Sequence, residues 1–444
     1  MTSETMTLRA DAMLTPEGPI ADAELAFDAD GRIAYAGPRR DGAAQGAPVL
    51  DLPGHVLMPG LVNGHTHSAM TLQRAVSDDE GFMPWLATVQ RIEQQLTHDD
   101  LAAGLDLAML EMIETGTVAF ADMYYWDEAL IERVRDVGMR VFAGLACSNV
   151  DHVAFPGVSS WTGADVLAET ERLAELYAAD PQVRVGYAPH APYTCTPDFL
   201  RDVRERALRL GIPIHTHISE SRAEVEQITE QYGSTPGVYL DSLAFFDADV
   251  HAAHCVHLTG PEIERFAQAR VSISHNPVSN LKLGNGIAPL PEMQGAQVRL
   301  ALGTDSVASN NSLDLFEEVK TASILQRGAH HDAAIVRAAD VLDIATRRGA
   351  EAIGFPDSGA LEAGRLADVI ALDVTGTAAA PLDLAAVPEA LVAHLGFAAT
   401  GADVRHVFIG GRHVYADGRH LVLDADAVRA RAREARTRLN ASAG

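Results

Sequence analysis

The sequence has few cysteines and no long apolar run. Its three cysteines, Cys147, Cys195 and Cys255, cannot all pair with one another and are too few for a disulfide framework, which favours a reducing compartment. No stretch is apolar over the roughly 18 residues that a membrane span needs. The first residues interleave acidic and basic side chains and do not resemble a cleaved signal peptide. We therefore expect a cytoplasmic protein.

The chain also has few basic residues for its length. Among 444 residues there are 34 Lys and Arg against 61 Asp and Glu, a formal net charge of −27. A field of that sign repels phosphate backbones and anionic lipids. We therefore expect neither a nucleic acid nor a membrane as partner, and a small neutral or cationic molecule as substrate.

Eight short runs rich in Val, Ile, Ala and Gly alternate with longer segments of helical periodicity. Strands that alternate with helices indicate a parallel sheet, and eight such units predict a (β/α)8 TIM barrel of the α/β class. The predicted strands are 55–65, 117–122, 140–147, 184–190, 213–217, 250–254, 270–275 and 299–305.

Both ends of the chain have a different pattern. Apolar and polar residues alternate there, with turn signals such as the DADGR sequence at 28–32, which is typical of short antiparallel strands. Neither end alone offers enough apolar surface for a core. We therefore predict a small β-sandwich domain formed jointly by residues 1–57 and 363–444, and a catalytic barrel over residues 58–362.

Residues that can bind a metal recur at the carboxyl ends of the predicted strands. In a barrel of this kind the active site lies at that end, because side chains from separate strands converge there. A single histidine in such a position is more often a buried structural residue, but coincidence at most of the strands is much less expected. The residues are His65 or His67, Asp122, Cys147, His190, His217, His254, His275 and Asp305.

Three histidines and one aspartate of this set form the predicted metal site. His65 and His67 share one face of a strand because they are two residues apart, while His217 and Asp305 supply a third imidazole and a carboxylate. Such a donor set suits one divalent ion, above all Zn²⁺, although Fe²⁺ or Mn²⁺ accepts the same ligands. We prefer His217 to His215, which would lie a layer deeper in the barrel.

The scarcity of lysine argues against a second ion. The chain has only Lys282 and Lys320, and neither is near the end of the fourth predicted strand, where two-metal barrel hydrolases place a carboxylated lysine between the ions. His190 occupies that region instead. We therefore expect a single ion.

Glu220, three residues beyond His217, is the candidate proton carrier. An ion with an open coordination position lowers the pKa of a bound water molecule toward about 7, and a neighbouring carboxyl group can then move a proton from water to substrate. Asp305 can also accept a proton from this water, and His254 can hydrogen-bond to it. The alternative is that Glu220 only begins a helix, where an acid interacts favourably with the helix dipole.

Seven sequence motifs resemble those of a known family in their length and order. LMPGLVNGHTHSAM, FADMYYW, APHAPYTC, IHTHISES, AAHCVHL, SHNPVSNLKLGNGIAP and LGTDSVASNNSLDLFEE are similar to the amidohydrolase superfamily, in particular its ATZ/TRZ branch and the 5-methylthioadenosine/S-adenosylhomocysteine deaminases within it. The likeness extends over nearly the whole chain. The metal ligands that it implies are His65, His67, His217 and Asp305, and the catalytic residues that it implies are Glu220, His254 and Asp305.

The resemblance also implies a reaction and residues that bind the substrate. Glu93, which by pattern alone would be a surface acid of a helix, is implied to bind ribose hydroxyls, and His190 to hydrogen-bond to the purine ring, with Glu220 and Asp305 facing the same substrate. The implied reaction is metal-dependent hydrolytic deamination of an adenine nucleoside: water adds at C6, Glu220 protonates a ring nitrogen, and ammonia leaves.

One feature of the family is missing. Members that accept the homocysteine group have an arginine after the third strand, whereas the corresponding region, 145–166, contains none. Because arginine is a strong partner for a carboxylate, we expect adenosine, 5'-methylthioadenosine or another neutral 5'-modified adenosine as substrate. Trp161 or Phe155 would contact the 5' group.

Two other functions fit part of the pattern. The first is deamination or dechlorination of another heteroaromatic ring, such as guanine, a pterin or a triazine; the presence of Asp305 argues against the triazine-type members that replace it. The second is an inactive barrel that serves in binding or assembly. The presence of a residue at every required ligand position argues against it. A homo-oligomer is compatible with any of these functions.

Overall fold

The structure, a computed structural model, describes residues 5–40 and 48–442. Residues 1–4, 41–47 and 443–444 belong to the two segments of the predicted small domain and lie outside the described residues. The strands, in chain order, are β1 (Met6–Thr15), β2 (Gly18–Phe27), β3 (Ile33–Pro38), β4 (Val49–Pro59), β5 (Leu61–Thr66), β6 (Thr117–Tyr124), β7 (Arg140–Cys147), β8 (Val183–Pro189), β9 (Ile214–Ile218), β10 (Val250–His254), β11 (Ser272–His275), β12 (Arg299–Leu302), β13 (Val369–Asp373), β14 (Val404–Ile409), β15 (Arg412–Ala416) and β16 (Arg419–His420).

Helices connect and cover these strands. They are α1 (Phe82–Glu93), α2 (His98–Glu114), α3 (Glu128–Val137), α4 (Gly163–Leu176), α5 (Pro197–Leu210), α6 (Arg222–Tyr232), α7 (Pro236–Ser242), α8 (Gly260–Ala269), α9 (Pro277–Lys282), α10 (Leu290–Gly295), α11 (Leu315–His330), α12 (Ala338–Ile344), α13 (Arg347–Ile353), α14 (Ala390–Phe397) and α15 (Ala425–Ser442). Short 3-10 helices cover Ser68–Gln73, Phe245–Asp247 and Gly401–Asp403. In the part of the chain that is described, no helix is both long enough and apolar enough to cross a membrane.

The strands β5 to β12 close into a parallel barrel, which confirms the predicted fold class. Their order around the barrel is β10-β11-β12-β5-β6-β7-β8-β9. All eight neighbouring pairs are parallel. Because the strands run in one direction, their carboxyl ends meet at one face of the barrel, and the residues that follow them are brought together.

Strands from both ends of the chain form a second sheet. Its order is β16-β15-β14-β13-β4-β1-β2-β3. The two ends meet where β4 pairs with β13 in antiparallel register, with Met58 opposite Ile370. One pair, β1 with β4, is parallel, and the others are antiparallel. A small β layer built from the two termini is therefore confirmed.

The predicted strand 55–65 is wrong as a single element. The chain leaves the small sheet at Pro59, passes through Gly60 and enters the barrel at Leu61. A side chain at Gly60 would not fit, because its Cβ would lie 2.4 Å from Cγ1 of Val118. Residues 56–66 are all buried, so the hydropathy of the segment gives no sign of the break.

Local sequence explains where several helices begin and end. Thr97 caps α2 and Thr162 caps α4, in each case with an aspartate three residues later that closes a capping box. Helix α5 begins with Pro197 after the cap residue Thr196, and it ends at Gly211, whose φ of 69° is in the left-handed region that glycine adopts without strain. These signals agree with the helical periodicity of the sequence.

A buried ion pair connects the barrel to the small sheet. Nη1 of Arg140, at the start of β7, lies 2.6 Å from Oδ2 of Asp368, just before β13, and the two side chains are 5% and 0% exposed. Asp368 also accepts hydrogen bonds from the hydroxyl of Ser358 and the amide of Gly410. The aspartate is thus fixed by three partners from distant parts of the chain.

Replacing Arg140 should destabilise the protein strongly. We expect Arg140→Met to lower the free energy of unfolding by about 3–5 kcal/mol, because an uncompensated buried charge remains. The matched control is Arg201→Met, whose partner Asp198 is almost fully exposed and whose loss should change stability by less than about 1 kcal/mol. Urea denaturation of both variants tests the difference, and equal losses would contradict it.

Candidate active site

Five side chains surround one point at the carboxyl end of the barrel. His65 is on β5, His67 directly follows it, His217 is on β9, His254 ends β10, and Asp305 follows β12. Candidate ligand atoms of His65, His67 and His217 lie within 4.8 Å of one another, and so do those of His65, His254 and Asp305. The four ligands predicted from the sequence are therefore neighbours in space.

Backbone carbonyls orient two of the imidazoles. Nδ1 of His67 lies 2.5 Å from the carbonyl oxygen of Met123, and Nδ1 of His217 lies 2.8 Å from that of His190. A carbonyl can only accept, so each Nδ1 carries the proton and each Nε2 keeps its free electron pair. This is the usual way in which a protein prepares a histidine to bind a metal.

His65 is oriented by another histidine. Its Nδ1 lies 2.9 Å from Nε2 of His215, which is buried one layer deeper. Nε2 of His65 is buried, has no hydrogen-bond partner among residues 5–40 and 48–442, and lies 3.5 Å from Oδ1 of Asp305. Burial lowers the pKa of His65 to about 3, so the ring is neutral at physiological pH, which is the form that binds a metal.

Asp305 presents one oxygen to the histidines and the other to two hydroxyls. Its Oδ1 lies 3.4 Å from Nε2 of His67. Its Oδ2 accepts hydrogen bonds of 2.6 Å from Ser279 and 2.7 Å from Ser309. Oδ1 is therefore the oxygen left for a metal or a proton.

These atoms fit one divalent metal ion. Three unprotonated imidazole nitrogens and one carboxylate oxygen around a common point are a donor set typical of Zn²⁺, and Fe²⁺ or Mn²⁺ accepts the same set. The buried Nε2 of His65 supports this assignment, because an unpartnered polar atom in a core is unfavourable unless something binds it. The cluster can thus hold a metal.

Glu220 lies beside this cluster rather than at a helix start. One carboxyl oxygen, Oε2, is 3.9 Å from Nε2 of His254, and the other accepts a 3.2 Å hydrogen bond from Nδ2 of Asn285. Burial, together with the negative charge of Asp305, raises the pKa of Glu220 well above its ordinary value. Ser221, not Glu220, caps α6. The carboxyl group can therefore hold a proton at neutral pH and release it nearby.

Several residues of the site have a strained backbone. A positive φ is rare for residues other than glycine and costs roughly 1–3 kcal/mol when the surroundings impose it. Four such residues lie at the ends of β9, β10 and β12: Ser219 (52°), His254 (72°), Cys255 (52°) and Asp305 (60°). For His254, contacts of Nδ1 with Oδ1 of Asn280 at 2.9 Å and with Nδ2 of Asn276 at 3.3 Å also fix the ring.

A cavity opens above the cluster, and the predicted substrate-binding residues line it. Glu93, the last residue of α1, accepts a 2.8 Å hydrogen bond from the hydroxyl of Tyr124, and burial raises its pKa. Nδ1 of His190 lies 3.1 Å from the hydroxyl of Thr194, and burial lowers the pKa of His190 to about 4. Glu93, His190, Glu220 and Asp305 all line the cavity.

Apolar and polar side chains both line the cavity. Phe155 lines it, whereas Trp161 stacks on Tyr125 in an adjoining hollow with ring centroids 5.2 Å apart. Among the residues that the structure describes, no lysine or arginine lines the cavity. Its large apolar residues include Met70, Phe82, Trp85, Leu86, Val89 and Phe155.

Other strand-end residues have different positions. Cys147 ends β7 and contributes to the cavity wall. Asp122, on β6, accepts hydrogen bonds from the amide of Ser68 and the indole of Trp126, so it supports the segment after His67. His275 is buried at the end of β11, and within the described ranges neither of its ring nitrogens has a hydrogen-bond partner.

The sequence analysis placed His215 one layer below the metal site, but it did not single out the other polar residues that support the site. They are Ser279, Asn280, Asn285 and Ser309. The only available signal is their place in the polar segments SHNPVSNLKLGNG and TDSVASNN, which follow β11 and β12. Such segments at the carboxyl end of barrel strands are typical of active sites.

Comparisons with known proteins agree with this geometry. A 5-methylthioadenosine/S-adenosylhomocysteine deaminase of Pelotomaculum thermopropionicum is 38% identical over 97% of this chain and 98% of its own. A 5'-deoxyadenosine deaminase of Methanosarcina acetivorans is 39% identical over 93% of each chain. The crystal structure of an adenosine deaminase from Xanthomonas campestris with bound zinc superposes with a TM-score of 0.92 at 33% identity over 99% of each chain.

The model of the amidohydrolase family matches residues 56–414. A closed parallel barrel, a cluster of histidines and an aspartate at its carboxyl end, and full-length relatives thus lead to one conclusion: the chain belongs to the amidohydrolase family.

Proposed function

We propose that the protein is a metal-dependent deaminase that hydrolyses an adenine nucleoside to its inosine analogue and ammonia. The observation that carries the proposal is the position of Glu220, a buried carboxyl group with a raised pKa, beside a cluster that fits one metal ion and at the base of a cavity. The relatives named as deaminases of adenine nucleosides support the same reaction.

His65, His67, His217 and Asp305 would hold the ion, which supplies Lewis acidity that activates water for attack. Glu220 delivers a proton to the ring nitrogen next to the attacked carbon, since burial and the charge of Asp305 raise its pKa and so favour the protonated carboxyl group. Asp305 accepts a proton from the attacking water through Oδ1, because its Oδ2 is occupied by Ser279 and Ser309. It passes this proton to the amino group as the bond between C6 and that nitrogen breaks, so that ammonia leaves, and the proton of the new C6 hydroxyl returns to Glu220.

His254 and His190 complete the arrangement. Nδ1 of His254 contacts Asn280 and Asn276, which leaves Nε2 to hydrogen-bond to the attacking water. His190 is neutral because its pKa is low, so its ring can exchange one hydrogen bond with the purine. Glu93, at the side of the cavity, accepts hydrogen bonds from ribose hydroxyls.

The preferred substrate has a neutral 5' group. Within the described part of the chain, the cavity offers no lysine or arginine to a carboxylate. Adenosine, 5'-methylthioadenosine and related 5'-modified adenosines fit such a cavity, with Phe155 next to the 5' substituent. S-Adenosylhomocysteine would have to leave its charged amino acid group without a strong partner.

A substrate panel tests both the reaction and the 5' preference. We expect ammonia release from adenosine or 5'-methylthioadenosine, with a kcat/KM at least about tenfold above that for S-adenosylhomocysteine, which corresponds to roughly 1.4 kcal/mol for a missing charged contact. Guanine and a chlorotriazine complete the panel. Activity on guanine or the triazine alone would overturn the proposal, and equal kcat/KM for S-adenosylhomocysteine would overturn the 5' preference.

We also infer that the enzyme is cytoplasmic and acts on a small molecule, with neither nucleic acid nor a membrane as partner. The three cysteines are buried and unpaired, which suits a reducing compartment, and the net charge of −27 disfavours anionic polymers and lipids. Cell fractionation tests the location, and recovery of the protein in the membrane pellet would contradict it.

A further inference from the structure

Glu224 is a buried acid that contacts the active site through the backbone. It lies in the first turn of α6 and is 3% exposed. Its Oε1 accepts a 2.9 Å hydrogen bond from the amide of Ser219, and its Oε2 accepts one of 2.7 Å from the amide of Glu220. The side chain is not part of the cavity wall. It therefore touches the proposed proton carrier without touching the space for the substrate.

The two amides need these acceptors because of the bend between β9 and α6. The chain turns there through Ser219, whose φ of 52° is in the left-handed region, and the turn points two consecutive N–H groups into the protein. A buried N–H group without a partner is unfavourable by about 1–3 kcal/mol. Each amide has its own acceptor, because one oxygen of Glu224 serves Ser219 and the other serves Glu220.

Fixing this backbone fixes the direction of the Glu220 side chain. With its amide bound to Glu224 and its carboxyl bound to Asn285, Glu220 is constrained at both ends. The result is the 3.9 Å approach of its Oε2 to Nε2 of His254. Displacement of a reacting group by about 1 Å can lower the rate of a reaction about 10²-fold.

We propose that Glu224 is a positioning residue for Glu220, which holds the bend at Ser219 so that the Glu220 carboxyl reaches the substrate. The proposal rests on the proposed function in one respect, namely that Glu220 transfers a proton. The contacts of Glu224 with the two amides do not depend on it.

Glutamine at position 224 tests the proposal because it keeps the size of the side chain and removes one acceptor. Glu224→Gln directs an NH₂ group toward one of the two amides, so we expect kcat to fall about 10²-fold with KM and metal content unchanged. In a Glu220→Gln background the same substitution should have no further effect, because a residue that acts only through Glu220 has nothing left to position.

Glu262 provides the matched control. It is also a buried glutamate, 3% exposed, and it accepts hydrogen bonds from the amide and hydroxyl of Thr259 at the start of α8. Glu262→Gln removes a comparable contact away from the cavity and should leave kcat near the wild-type value. An equal loss of kcat in Glu262→Gln, a loss in Glu224→Gln that persists in the Glu220→Gln background, or a loss of metal would each overturn the proposal.

Hydrogen exchange separates this proposal from the proposed function. One of the two amides, that of Ser219 or that of Glu220, should exchange at least about tenfold faster in Glu224→Gln than in the wild type or in Glu262→Gln, since it loses its acceptor. Unchanged exchange would overturn the role of Glu224 even in an active enzyme. Absence of ammonia release by the wild type would overturn the proposed function, while exchange would still decide whether Glu224 holds the bend.

Discussion

Glu220→Gln should retain the fold and the metal and lose about 10²–10⁴-fold in kcat. A positioned general acid or base contributes about that factor, and glutamine has no proton to give at neutral pH. The amide can still accept the hydrogen bond that Asn285 donates to the carboxyl group, so the cavity should keep its shape and KM should change little. Steady-state kinetics on 5'-methylthioadenosine, with metal analysis of the same preparation, measures all three quantities.

Glu226→Gln is the control for this substitution. Glu226 is an exposed glutamate on α6, the helix that follows Glu220, and its replacement makes the same change from carboxyl to amide at a nearby place in the chain. We expect its kcat to equal that of the wild type. Near-normal turnover of Glu220→Gln would assign proton transfer to another group and would contradict the proposed mechanism.

His65→Ala should lose the metal itself. The replaced imidazole has a buried Nε2 without a partner and lies at the centre of the cluster. Removing a group that only orients a metal ligand typically lowers metal affinity about 10–100-fold, so the loss of a ligand should exceed that range. Competition with a chelator, followed by metal analysis, measures the affinity without any need for turnover.

His152→Ala is the matched control for metal binding. His152 lines the same cavity but is exposed at its mouth. Its replacement should leave the affinity for Zn²⁺ within about twofold of the wild-type value, a difference of roughly 0.4 kcal/mol. If His65→Ala retained the wild-type affinity, the site assigned to the ion would be wrong.

The barrel could be predicted from the sequence because its strands are short, apolar and regularly spaced. Seven of the predicted strands overlap one barrel strand each. The eighth fails at Gly60, since both sides of the break are buried and hydropathy cannot distinguish the core of the small sheet from that of the barrel. Val118 packs so close to Gly60 that no side chain fits there, and this contact is visible only in three dimensions.

The polar residues around the candidate site could be located only in part. Strand-end histidines are visible in the sequence because parallel strands bring their carboxyl ends together. Their partners are not, because the contacts join distant segments: 150 residues separate His65 from His215, and 65 residues separate Glu220 from Asn285. No periodicity or motif spacing encodes such hydrogen bonds.

Buried acids support the segments that carry the site. Asp122 accepts a hydrogen bond from the amide of Ser68, next to His67. Glu224 accepts hydrogen bonds from the amides of Ser219 and Glu220. Each acid satisfies N–H groups that a bend after a barrel strand turns inward. The strained backbone at Ser219 can persist because these hydrogen bonds hold it in place. The sequence places Asp122 among the strand-end residues and Glu224 within a helix, and only the fold shows which N–H groups donate hydrogen bonds to them.

Reconstitution with metal tests the central claim most directly. Protein stripped of metal by a chelator is titrated with Zn²⁺, and ammonia release from 5'-methylthioadenosine is measured at each step. One site, formed by His65, His67, His217 and Asp305, predicts negligible activity at the start, a linear rise and a plateau at one ion per chain. Full activity in the stripped protein, or a plateau that requires a second ion, would contradict the account.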